Sequence, residues 1–106
     1  MKHFIHVLVE FLTYEEGGRK GPIYLNGFSY RPHFRVIGDA EYLGIQFIEG
    51  PDRLISPKEW VTAKIWLMYY PNVSYEKLSV GKEFEILEGR NVVGIGTVIS
   101  PVSVEE

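Results

Sequence analysis

The sequence contains no cysteine. That removes disulfides, thiolate metal sites and cysteine nucleophiles, and it leaves the redox compartment unmarked. No apolar run approaches the roughly 20 residues that a membrane-spanning helix needs. The start lacks a secretory signal: His6 and Glu10 interrupt the apolar run after Met1-Lys2-His3-Phe4, and no small-residue cleavage site follows. Neither sign of charge dominates. The formal net charge is −3, so the whole-molecule field does not draw nucleic acid, and only a local basic patch would. Low-complexity segments and internal repeats are also missing. The expectation from these absences is a cytoplasmic protein with no membrane partner.

What remains is a globular composition, 45% hydrophobic and 24% charged, which excludes a disordered tail. At 106 residues the chain is expected to be one domain, residues 1–106, long enough to bury a core without disulfides or metal.

The apolar residues follow a period of two. Between His3 and Thr13, Ile5, Val7, Val9 and Phe11 fall on one face, with His6, Leu8, Glu10 and Leu12 on the other. Residues 15–27 hold four glycines and a proline and read as loop. Phe28 to Ile37 reads as a strand interrupted at Pro32, and a proline inside a strand pattern marks an edge or a bulge. Tyr42 to Ile48 alternates again, with Leu43, Ile45 and Phe47 inward. Trp60 to Tyr70 gives the clearest strand: Val61, Ala63, Ile65, Leu67 and Tyr69 oppose Thr62, Lys64 and Trp66. Phe84 to Leu87 and Val92 to Ile99 flank the turn Glu88-Gly89-Arg90-Asn91 as a hairpin, and Gly94 and Gly96 leave room for another backbone. Ser56-Pro57-Lys58-Glu59 has the form of a helix start, but no helical period follows, so it reads as an isolated turn. Val102 to Glu106 reads as a frayed tail. Six strands and no helix predict a small all-β barrel or sandwich.

Three segments carry a resemblance. Val9 to Arg19, with Glu15-Glu16-Gly17-Gly18-Arg19 at its end, resembles the opening strand and loop of the third domain of elongation factor Tu. So does Gly27 to Phe34, with Tyr-Arg-Pro at 30 to 32, and Phe84 to Val98 is similar to that domain's last hairpin. They occur in family order over about residues 7 to 100. The resemblance implies a six-stranded antiparallel Greek-key-like barrel, in agreement with the pattern reading. In the family this domain packs on its neighbours, holds the T-stem of aminoacyl-tRNA and helps to bind the exchange factor. The family's GTPase activity is excluded for this chain, because no phosphate loop exists: Gly81-Lys82 is followed by Glu83.

Carried over by position, the RNA-facing candidates are Arg19 and Lys20 in the first loop, His33 where the family has glutamine, and Glu88, Gly89 and Arg90 in the last turn. The departures are specific. Lys20 replaces a histidine, Tyr42 a threonine, and Glu85 a small residue, while Arg90 comes one place earlier than the family's arginine. Arg19, Lys20, Arg31, His33, Arg35 and Arg90, with Tyr30 and Phe34 between them, suit a surface that reads a phosphate backbone. The competing account, favoured by the negative net charge, makes Arg19 and Arg31 structural ties for the glycine loop.

Trp60, Trp66, Met68, Tyr69 and Tyr70 make the central strand unusually aromatic. Trp66, Met68 and Tyr70 lie opposite Ile65 and Leu67. They form either a partner-binding face or the barrel's own cover. No arrangement of Ser, His and Asp stands out for nucleophilic catalysis. His3 and His6 point to opposite faces of a strand and make no metal pair. The acids Glu15, Glu16, Glu83, Glu85 and Glu88 read as solvated surface. The sequence therefore predicts a free-standing, non-catalytic binding module with no cofactor, engaging tRNA or a translation-apparatus component. The alternative is a protein–protein module: an adaptor, a decoy, an immunity-type protein or a homo-oligomer.

Overall fold

The longest strand is the first of the alternating runs. In the computed structural model, which describes all 106 residues, Lys2–Phe11 (β1) points Ile5, Val7, Val9 and Phe11 inward, and all four are fully buried. Val61–Trp66 (β5) pairs along one edge of β1, from Val9 opposite Val61 to Phe4 opposite Trp66. Asn91–Val98 (β7) pairs along the other edge, from Val7 opposite Val98 to Phe11 opposite Gly94. Glu83–Glu88 (β6) forms the predicted hairpin with β7, and His33–Val36 (β2) lies beside β6.

The run read over residues 42–48 is divided. Leu43–Gly44 (β3) pairs with β2, whereas Gln46–Glu49 (β4) pairs with β5. β2 and β5 are the two ends of the sheet formed by the other strands, so this single run joins them. The ring is then β1, β5, β4 with β3, β2, β6, β7 and back to β1, every pairing antiparallel. Ile45 N–H to the Pro32 carbonyl at 3.4 Å and Phe47 N–H to the Tyr30 carbonyl at 3.0 Å extend the seam. The fold is thus an all-β barrel whose six staves are the six runs read from the sequence. There is no helix, hence none long and apolar enough to cross a membrane.

Side chains fill the interior, as in other small barrels. Phe34 stacks on Phe84 at 4.0 Å between centroids and meets Phe47 edge-on at 5.9 Å. Geometries of this kind add about 0.5–1.5 kcal/mol per pair beyond area burial. Such bulk needs space, and β7 supplies it. A Cβ on Gly96 would fall 2.6 Å from Phe84 Cζ and 2.8 Å from the Leu8 carbonyl oxygen, and one on Gly94 would fall 2.8 Å from the Glu10 carbonyl oxygen. The two glycines therefore admit both a neighbouring backbone, as expected, and a core ring.

Three expectations are corrected. Phe34 belongs to the core rather than to a basic surface, being fully buried. Tyr69 does not continue the inward face, because β5 ends at Trp66 and the chain turns, leaving Tyr69 exposed and packed against Gly44. The tail is not frayed: Ser103–Glu105 (β8) pairs with Lys2, His3 and Phe4 of β1. The turn at residues 56–59 is isolated as predicted, closed by Glu59 N–H to the Ser56 carbonyl at 3.3 Å.

Gly96→Ala is expected to destabilise the protein by about 1–3 kcal/mol, the usual cost of overpacking a filled core. Gly21→Ala, whose added Cβ meets only Arg19 Nη2 at 4.0 Å, should stay within about 0.5 kcal/mol of wild type. Urea denaturation of both variants measures this, and equal midpoints would contradict the packing account.

Candidate functional site

The strand β1 delivers the chain to a loop built on two adjacent glycines with different tasks. Gly17 takes φ +98°, a left-handed backbone that L side chains rarely adopt. Gly18 lies against the chain itself: a Cβ there would fall 2.4 Å from the Leu12 carbonyl oxygen. Around them Thr13 and Glu16 cap each other. Thr13 N–H and Oγ1 donate to Glu16 Oε1 at 3.0 and 3.1 Å, and Glu16 N–H donates to the Thr13 carbonyl at 3.1 Å. Lys58, at φ +67°, donates its N–H to the Phe11 carbonyl and places Nζ 3.2 Å from Glu16 and 3.5 Å from Glu10. These contacts hold the Glu16 carboxyl below its ordinary range, the Thr13 backbone N–H foremost and then Lys58.

The loop then delivers Arg19 to the β6–β7 turn. Its Nε lies 3.4 Å from Glu88 Oε2, and its guanidinium sits 5.1 Å from the centre of the Tyr30 ring. Tyr30 donates its hydroxyl to the same Glu88 oxygen at 2.6 Å. Burial, and then the Glu88 carboxylate, push the Tyr30 hydroxyl far above its ordinary range, so it remains a donor at any physiological pH. The Arg19–Glu88 contact is a charge pair without a hydrogen bond at Nε. Two of the residues assigned to one RNA surface thus neutralise one another, and Arg19 is tied to the β6–β7 turn rather than to Glu15 or Glu16 of its own loop, which counts against Arg19 as an RNA contact. Tyr30 completes this cluster. Its signal in the sequence was only a tyrosine before Arg31-Pro32.

The other candidates divide. Lys20, Arg31 and Arg90 are exposed and form no ion pair within 4.0 Å. They lie at the same end of the barrel as Arg19. Lys20 follows it, Arg90 sits in the turn beyond Glu88, and Arg31 continues the β2–β6 ladder past the His33–Leu87 pair towards Gly89. Of the eleven lysines and arginines, six are tied to carboxylates, and three of the five that are not gather here. Arg35 does not join them, since its Nη2 pairs with Glu85 at 2.8 Å on the barrel wall. His33 leans on Tyr42, 5.8 Å between ring centres.

The aromatic candidates occupy the opposite end. Trp66 and Met68 are half-buried, and Lys2 Nζ covers the Trp66 ring at 4.7 Å. Tyr70 packs against His3, tilted by 38° with ring centres 4.0 Å apart, and remains 43% exposed. Only Tyr70 of the three offers much free surface. No group of three metal-ligating side chains assembles. His6 Nδ1 lies 3.3 Å from Ser100 Oγ, but that hydroxyl already accepts from His6 N–H and donates to the Pro101 carbonyl. No family model matches the chain.

Tyr30→Phe should destabilise the protein by about 1 kcal/mol, because the lost donor leaves a half-buried carboxylate oxygen short of a partner. Chemical denaturation measures it, and an unchanged midpoint would show that water replaces the hydroxyl at no cost. Glu16 also sets a pH dependence. Its folded pKa is depressed, so its contribution is complete above the ordinary glutamate value of 4.5 and is lost as pH falls through the folded value. Melting temperatures recorded down to pH 3 should fall less steeply for Glu16→Gln than for wild type.

Proposed function

We propose that the protein is a non-catalytic binding module that engages an RNA backbone, such as that of tRNA or of RNA in the translation apparatus, through the barrel end bearing Arg19, Lys20, Arg31 and Arg90. One observation carries the reading. In a chain of net charge −3, three of the five cations without a carboxylate partner gather at that end. Cations held on turns of a rigid barrel meet phosphates at little ordering cost. Arg19 adds to this: Tyr30 and Glu88 hold its guanidinium in place while its side chain stays partly exposed. The resemblance to the third domain of elongation factor Tu points to the same loop and turn. Arg19 then serves both the fold and the ligand, whereas Lys20, Arg31 and Arg90 serve the ligand alone.

Fluorescence anisotropy with bulk tRNA at low and moderate salt tests this. Binding should weaken with salt with a log–log slope of about −2 to −3, the value expected for three or four neutralised phosphates. The double variant Lys20→Ala/Arg90→Ala should retain the melting temperature of wild type and reduce that slope by about 1 to 2. Absence of binding at low salt would overturn the reading and leave a protein–protein module as the function to pursue.

A further inference from the structure

At the opposite end of the barrel, β8 leaves a sheet edge open. His3 gives its carbonyl to Leu67 N–H at 2.9 Å, on the β5 side. Backbone direction alternates along a strand, so Lys2 and Phe4 face β8, as His6 faces Ile99 further along. In the antiparallel register Ser103 and Glu105 answer Phe4 and Lys2. Val104, opposite His3, therefore turns its own N–H and C=O away from β1, and no other strand pairs with β8. An open edge of this kind is a template for another extended segment.

The face beside that edge is shaped and apolar. Val102 and Val104 lie on one side of β8 and are 46% and 51% exposed. Val102 borders a groove of about 400 Å³ whose other walls include Tyr70, Val73 and Tyr75. His3 bridges the two parts, since it lies opposite Val104 and packs against Tyr70. The far wall is rigid, because the Tyr75 hydroxyl donates to the Gly44 carbonyl at 2.7 Å and accepts from Tyr69 N–H at 3.2 Å. The charge at the groove has one sign. Glu76 lines it, Glu106 follows in the alternation of Val102 and Val104, neither carboxylate takes part in an ion pair, and no lysine or arginine lines the groove.

We infer that the β8 edge is a peptide-docking site, which takes an extended segment by strand addition with apolar residues over Val102 and Val104 and basic residues towards Glu76 and Glu106. Main-chain bonds to Val104 supply affinity, and the groove selects alternate side chains. The geometry also determines which peptide bonds matter. A residue whose side chain enters the groove presents its own N–H to β8, and its neighbours present theirs to solvent.

The probe is an acetylated, amidated peptide, Lys-Thr-Val-Thr-Val-Thr-Lys, with lysines and valines on the groove side. Titration calorimetry with the full chain should detect binding. N-methylation of the two valines should weaken it by about tenfold or more, the loss of one or two hydrogen bonds, while N-methylation of the threonines should leave it unchanged. Glutamate in place of both lysines should also weaken it. Val104→Pro removes the free N–H without touching a bond to β1, and it should abolish binding; should that variant not fold, the methylated probes decide alone. No binding of the parent peptide, or equal binding of both methylated forms, overturns the inference. Sedimentation of the protein as a dimer that Val104→Pro makes monomeric would assign the edge to a second copy and overturn the peptide as its occupant.

Discussion

The barrel depends on one strand run that changes partners. Leu43 and Gly44 bond to β2, and two residues later Gln46 bonds across to β5. Without that change the sheet would end in two open edges, each with a row of unsatisfied backbone groups. With it, the ring closes and the interior becomes a single core of 21 buried side chains. The pairing of β2, β6, β7 and β1 as consecutive neighbours brings the first loop, the β2 entry and the β6–β7 turn to one end, which is why residues from three parts of the chain meet at Glu88.

That meeting changes the meaning of the basic loop. Arg19 and Glu88 both belong to the surface that the resemblance to elongation factor Tu implies, and here they face each other with Tyr30 between them. A half-exposed ion pair of this kind contributes about 1 kcal/mol or less. Its greater effect is to orient one guanidinium and to leave Lys20, Arg31 and Arg90 as the unneutralised charges around it. The two ends of the barrel then differ in character. One presents Lys20, Arg31 and Arg90; the other presents Val102, Val104 and an open strand edge.

Much of this was legible in the residues. All six strand runs appear as staves, the isolated turn at Ser56 is present, and the inward faces of β1 and β5 are those of the alternation, because a period of two is a property of each strand alone. The loop at residues 15–27 was also readable from its glycines, although the division of Gly17 and Gly18 into one dihedral and one close approach was not. The sequence could not separate Arg35 from Arg31, since both are arginines near Pro32. What separates them is Glu85, which a register between distant strands sets beside Arg35.

The sequence by itself thus determined the class of fold, the six barrel strands, the buried faces of β1 and β5 and the places where the chain must turn. Tertiary structure decided which cation is neutralised, that Phe34 lies in the core, that Tyr69 lies outside it, and that residues 103–105 form an edge strand. The physical reason is range. Alternation and turn chemistry act over a few neighbouring residues. Pairing, closure and the meeting of Arg19 with Glu88 depend on registers between segments far apart in the chain, which no local pattern encodes.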